Sequence, residues 1–296
     1  MKYSMSPTVV STAFWMAAAG LALLVIGLYA ARNEIARARG IDKVVALTHL
    51  SYALPLAVFG AEHLAGGIPL QMVPSYMPGR SFWIYFVGAA LIAASLSIGT
   101  RIQVRWSGLL VGIMMFLFVA MLHLPGAIRA GSRIPWTIVF RELSFGGGAW
   151  VLAGTAMGES DGSRKILITA GRFFIAITAI VFGVLHFLHP LALPGVPLLK
   201  QMPAWVPAPT FIDYLTGAFL IAGGFCFLVA RKTRMAAAYL GGWILLLVLV
   251  IYTPVLIGAL ADPRPGVKFE GLNYFADTLL FGAVILSLAR AFSARK

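Results

Sequence analysis

Four histidines and four carboxylates stand close to the ends of long apolar runs in this chain: His63, His123, His186 and His189, with Glu62, Glu142, Asp213 and Asp277. An imidazole titrates near neutral pH, and a carboxylate beside it orients the ring and steadies its charged form, so such a pair takes up and releases protons. An ionisable group at the centre of a lipid-spanning helix costs about 2.5–3.5 kcal/mol, so those that persist turn toward a bundle interior or a water-filled cavity. Two sets are expected, His63 with Glu142 and His186 with Asp277, each under a Pro-rich loop. Trp83 and Tyr85 accompany the first, and Trp205 and Tyr214 the second. The competing reading is interfacial: Trp and Tyr form belts at membrane surfaces, and an acid near a helix N-terminus offsets the helix dipole.

The elements that hold these groups are apolar helices. Of 296 residues, 60% are hydrophobic and 11% charged, with a mean hydropathy of +0.90, a balance that excludes an ordinary soluble domain. The formal charge of +13 does not indicate nucleic acid, because the basic residues sit in short gaps between apolar runs instead of on one face. Nine runs are long enough to cross the bilayer, over approximately 9–31, 44–64, 82–100, 106–127, 136–156, 168–188, 211–229, 235–260 and 271–290. They are continuous, not alternating, which favours helices over a barrel. The uncharged stretch Tyr3–Ala31 is too long for a signal's apolar core and ends at Arg32, so it reads as a retained first span. Arg and Lys concentrate in alternate gaps, at Arg32, Arg37, Arg39, Lys43, Arg101, Arg105, Arg164, Lys165, Arg231, Lys232 and Arg234, and at the C-terminal Arg295 and Lys296. By the positive-inside rule these face the cytoplasm, with the N-terminus, including Lys2, outside. The expected location is a bacterial or archaeal cytoplasmic membrane. Cys226, the single cysteine, lies in an apolar run and reads as a buried, unreactive thiol.

The chain repeats itself. Phe59-Gly60-Ala61-Glu62-His63 returns as Phe182-Gly183-Val184-Leu185-His186, and Val73-Pro74-Ser75-Tyr76-Met77-Pro78 as Met202-Pro203-Ala204-Trp205-Val206-Pro207. Phe82, Tyr85 and Gly88 match Phe211, Tyr214 and Gly217, Pro125 lies opposite Pro254, and Phe140-Arg141-Glu142 lies opposite Phe275-Ala276-Asp277. The expected organisation is an N-terminal helix and basic loop (1–43), a first four-helix repeat (44–157), a cytoplasmic linker (158–167) and a second repeat in parallel orientation (168–296). Gly146-Gly147-Gly148, Gly223-Gly224 and Gly241-Gly242 are expected at close helix contacts, and Pro55 is a candidate kink.

The helix-ending His, the apolar-Pro-aromatic-apolar-Pro loop, the aromatic helix start and the charged-then-glycine-rich fourth helix (Arg141 to Gly148, Ala276 to Ala283) resemble the DoxX and DoxX-like family of four-helix membrane proteins. The resemblance covers both halves, although the family's ordinary form is a single copy. It implies a connection to quinone or redox complexes, and it brings no catalytic residue set with it. Two functions follow as expectations. One is an accessory or anchor subunit of a membrane complex with a protein partner at the outer face. The alternative is a quinone-interacting redox subunit, with the quinone headgroup held by His63, Glu142 and Tyr85 or by His186, Asp277, Tyr214 and Trp205. A haem or metal centre at His63 with His123, or at His186 with His189, is the weaker alternative, since the second copy has Tyr252 or Thr253 where the first has His123. No phosphate-binding loop, HExxH, GxSxG or dinucleotide fingerprint is present.

Overall fold

A helix satisfies its backbone within itself, and the apolar runs are helical wherever the chain is described. The computed structural model describes residues 7–65 and 73–293, with side chains from residue 12. Lys2, Tyr3, Arg295 and Lys296 lie outside the described residues. In chain order the helices are α1 Pro7–Arg37, α2 Asp42–Ala46, α3 Thr48–Leu64, α4 Arg80–Thr100, α5 Val104–Phe118, α6 Leu124–Ala130, α7 Arg133–Thr155, α8 Gly162–Leu188, α9 Pro209–Leu228, α10 Thr233–Leu247, α11 Thr253–Ala261 and α12 Pro265–Ala291. Among the described residues, seven stretches are long and apolar enough to cross a membrane, with α5–α6 and α10–α11 each counted as one. Two stretches fall short: α3 has 17 residues, and α7 carries Arg141 and Glu142 at mid-length. The outward sides of the long helices are apolar, with Phe14, Leu21, Leu110, Phe219, Phe225 and Leu249 among their exposed side chains. This is a multi-pass membrane protein whose surface meets lipid.

Several boundaries differ from those expected. The run 44–64 is broken at Leu47 into α2 and α3, and the predicted linker 158–167 shortens because Asp161 caps α8, accepting from the Ser163 N–H at 3.0 Å. The runs 106–127 and 235–260 each contain a π-helical turn, Val119–His123 and Val248–Tyr252, just before Pro125 and Pro254. A proline lacks the N–H that would bond the carbonyl four residues back and clashes with it, so the ladder widens there. The carbonyl of Met121, released by Pro125, accepts from the Tyr76 hydroxyl at 3.1 Å. Pro55 stays within α3. Cys226 is half-buried on α9, more open than its apolar setting implies.

Packing follows a ring. α3 lies against α4, α4 against α5, α5 against α7, α7 against α8, α8 against α9, α9 against α10, α10 against α12, and α12 returns to α3. α12 also packs on α7 and divides the ring into two lumens, while α1 covers α3, α4 and α12 from outside. α3 and α7, although on opposite sides of the first lumen, do not pack directly. The middle of α12, Ala276–Ala289, is wholly buried, which explains why its residues include Asp277, Thr278 and Ser287 without a cost in lipid.

Glycines set the tightest crossings. A Cβ on Gly171 of α8 would meet the Gly147 carbonyl of α7 at under 2.5 Å, and one on Gly183 would meet the Gly217 carbonyl of α9 at 2.8 Å. Because α12 is walled by α3 and α7, residues 1–157 and 158–296 expressed together as two chains should co-purify in a mild detergent. Separate migration of the two pieces on size exclusion would show that their contact depends on the connection.

Candidate functional site

The first lumen holds a cavity of about 400 Å³ at the end of the bundle that carries residues 73–79 and 189–208. Its apolar walls include Phe59, Leu91, Met115, Phe118, Ile138, Phe145 and Phe269, and its polar groups are Glu62, His63, Arg141, Glu142, Glu270, Asn273, Tyr274 and Asp277. Each polar group is placed by a helix. α3 carries Glu62-His63 in its last turn, α7 brings Arg141-Glu142 a little over two turns from its start, and α12 brings Asn273 and Asp277 onto one face at i and i+4.

Arg141 is the hub. Its Nη2 donates to Glu142 Oε1 at 2.8 Å, its Nε to the same oxygen at 3.2 Å, and its Nη1 to Asp277 Oδ2 at 2.5 Å. All three side chains are buried. A buried ion pair repays its desolvation only when its geometry and hydrogen bonding are good, and this one spans two helices with charge-assisted bonds. Arg141 has five N–H donors, of which three are used, so two remain for a ligand. Glu62 is almost completely buried on the opposite wall, and its Oε1 has no hydrogen-bond partner. With Glu270 paired to Lys200 at 3.7 Å, one guanidinium stands among the other three carboxyl groups, Glu62, Glu142 and Asp277. The cluster has room to accept a hydrogen bond or a proton from a ligand.

His63 is buried beside Glu62, and its Nδ1–H donates to the Phe59 carbonyl at 2.8 Å, since a carbonyl can only accept. That bond fixes the ring and leaves Nε2 as its acceptor nitrogen in the neutral form. Tyr52 is fully buried, and its hydroxyl reaches from α3 to the Phe145 carbonyl of α7 at 2.7 Å. This hydroxyl bridges two helices that otherwise stand apart.

His63 and Glu142 line the same cavity, but His186 and Asp277 do not form a second one. Asp277 turns into the first lumen because Arg141 lies there, and His186 instead faces Asp213, with Nδ1 2.8 Å from Oδ1 and both side chains completely buried. His186 Nε2 accepts from the Gly195 N–H at 3.1 Å, so the proton of the neutral ring is on Nδ1, toward the carboxylate. The second lumen is filled by chain. The loop 189–208 dips into it with Leu193, Pro194, Val196 and Val206 buried, and Tyr252 donates to the Pro194 carbonyl at 2.8 Å. Gly195 has φ +107, which side-chain-bearing residues rarely adopt, and a Cβ there would stand 3.1 Å from Thr278. From the first half, Arg133 donates to the Pro197 and Leu198 carbonyls at 2.7 and 3.3 Å and holds the loop down.

Neither a family model, nor a curated protein, nor a solved structure matches the chain. The aromatic residues assigned to the pockets lie elsewhere. Tyr85, Tyr214 and Trp205 are exposed, Tyr214 stacks on Phe187 at 5.4 Å, and Trp83 packs edge-on against Phe82 and Phe86. Tyr85 and Tyr214 sit on exposed helix faces, where an aromatic belt would be, Trp205 lies in the loop before α9, and Trp83 is partly buried against the core. His189 is exposed after the end of α8, and among the described residues no three His, Cys, Asp or Glu side chains gather as a metal site. Three members of the real cluster, Arg141, Asn273 and Tyr274, were not singled out as site residues from sequence. Arg141 was the findable one, because an arginine inside an apolar run needs a carboxylate partner on a neighbouring helix.

Proposed function

We propose that this is a nine-span membrane protein of the DoxX-like kind, duplicated in tandem, whose first-lumen cavity receives the headgroup of a lipid-soluble quinone. The observation that carries the ligand reading is the cavity itself: about 400 Å³, mainly apolar, with a guanidinium that has donors to spare and, across it, a buried carboxyl whose Oε1 has no hydrogen-bond partner. Small-molecule sites have this size and this mixture of apolar wall with few convergent polar groups. A quinone carbonyl accepts from Arg141, and a quinol hydroxyl donates to Glu62 Oε1. Reduction of a quinone consumes two electrons and two protons; the carboxyl and imidazole groups serve the protons. The electrons are assigned to a protein partner bearing its own redox cofactor, at the face where the cavity lies.

Support for the duplication comes from features that recur in both halves. Each third helix has its π-helical turn before a proline. The turns after α4 and α9 each place two residues at positive φ, Arg101 and Gln103 in one and Ala230 and Lys232 in the other. Both turns close with a bond from an N–H to the carbonyl five residues back, Ile102 to Ser97 and Arg231 to Cys226. α3 and α7 are taken as the two remaining spans, since α3 continues from α2 and α7 turns its charges inward. The Arg-rich end is assigned to the cytoplasm and the cavity end to the outer face.

Ile138 lines the cavity without belonging to the ion cluster. Mass spectrometry of organic extracts from protein purified in mild detergent should find quinone in roughly equimolar amount with the chain, and Ile138→Trp should lose most of it while melting at a similar temperature. A quinone-free native protein would sink the ligand reading and leave the accessory or anchor role.

A further inference from the structure

A second cavity, of about 1210 Å³, opens at the opposite end of the bundle among the ends of α1, α3, α7 and α12, the start of α8 and the α4–α5 turn. Six arginines line it: Arg37, Arg101, Arg105, Arg164, Arg234 and Arg290. We propose that this cavity binds the phosphate group of an anionic ligand.

The positive-inside rule accounts for basic residues at this end, and it is indifferent to where they point and to whether they are Arg or Lys. The structure is not indifferent. Lys43, Lys165 and Lys232 belong to the same end and are exposed, yet none lines the cavity, where every cation among the described residues is an arginine. A guanidinium presents a planar fork of donors that fits phosphate oxygens two at a time, whereas an ammonium acts as a point charge.

The charges in the wall do not cancel. Six guanidinium groups meet two carboxylates in the wall, Glu34 and Asp42, and a third beside it, Asp161, which leaves a surplus of three positive charges. Glu34 holds Arg101 at 2.6 Å and Arg290 at 2.7 Å, Asp42 holds Arg234 at 2.6 Å, and Asp161 holds Arg105 at 3.2 Å. Arg37 and Arg164 have no ion pair among the described residues. Donors are orphaned here as well: Arg101 Nε and Arg164 Nε are buried without a hydrogen-bond partner. His49, 6% exposed and in the cavity wall, has its Nδ1 unpartnered too. Like charges gathered in one concavity repel, and a multivalent oxyanion relieves that repulsion while satisfying the orphaned donors. The same phosphate chemistry has two sources, the headgroup of an anionic phospholipid reached from the adjoining leaflet and a soluble phosphorylated molecule.

Two probes separate them. The full chain in phosphatidylcholine nanodiscs is titrated with inorganic pyrophosphate by calorimetry, and the chain in mild detergent with added phosphatidylglycerol is examined by native mass spectrometry. Wild type should bind at least one probe, and Arg37→Gln with Arg164→Gln should weaken that binding tenfold or more without lowering the melting temperature. Lys43→Gln with Lys165→Gln removes equal charge outside the cavity and should change binding less than twofold. Lipid retention alone assigns a headgroup site, pyrophosphate binding alone assigns a soluble ligand, and both together leave phosphate recognition as the common basis. Binding of neither probe, or equal losses in the arginine and lysine pairs, overturns the proposal. The quinone cavity is at the other end, so Ile138→Trp should leave both probes unaffected.

Discussion

Arg141→Met should destabilise the protein by about 3–5 kcal/mol, the usual cost of removing one partner from a buried ion pair. Two carboxylates then lose their balancing charge at once, Glu142 on the same helix and Asp277 on α12. Glu142 and Asp277 then confront one another across a low-dielectric lumen. The loss should appear as a large drop in the thermal midpoint followed by circular dichroism in one detergent. It should be largely reversed in the triple variant Arg141→Met, Glu142→Gln, Asp277→Asn, because polar neutral groups carry no uncompensated charge. A single variant that melts like wild type would mean that the cluster does not tie α7 to α12. A triple variant no better than the single would mean that Arg141 acts through packing, including its approach to the Phe145 ring at 5.8 Å.

The second large effect concerns the crossing of α7 and α8. Gly171→Ala puts a methyl group into the Gly147 carbonyl and 2.7 Å from Val151, and a backbone oxygen cannot swing aside as a flexible side chain can. The two helices must separate, at a cost on the order of 1–3 kcal/mol or more for overpacking. Gly126 and Gly258 lie in α6 and α11 with nothing within 4 Å of an added Cβ. Alanine at either should be neutral or stabilising by about 0.5–1 kcal/mol, from the entropy the unfolded chain no longer has to lose. Thermal melts of the three single variants test the comparison. If Gly171→Ala behaves like Gly126→Ala, the α7–α8 contact is looser than the carbonyl-to-glycine approach indicates.

Much of the fold was legible because it is local. An apolar run of twenty residues must be helical in lipid whatever surrounds it, so the runs at 168–188, 211–229 and 235–260 were found as α8, α9 and α10–α11. Glycine clusters were legible as contact points for the same reason, and Gly147 and Gly241 do lie against neighbouring helices. What escaped were interruptions that depend on one residue's chemistry, such as the widened turns before Pro125 and Pro254, and the Asp161 cap that begins α8 within the expected linker.

The candidate site was legible only as a depth. The sequence places Glu62, His63, His186, Asp213, Glu142 and Asp277 near helix ends on one side, because position along a helix is read directly from the chain. Matching the two halves then assigned Asp277 to His186. That pairing assumes that each four-helix unit closes on itself. In the structure the two halves of the chain close on each other, with α7 against α8 and α12 against α3, so Asp277 meets Arg141 and His186 is left to Asp213. The loop 189–208 then occupies the second lumen, and Arg133 of the first half holds it there. Helical class, membrane setting and the depth of each ionisable group follow from the sequence, because they depend on composition and rise per residue. Which charges share a lumen, and which lumen stays open, was decided only by the tertiary structure, since burial makes an unpaired charge costly but does not say which helix supplies its partner.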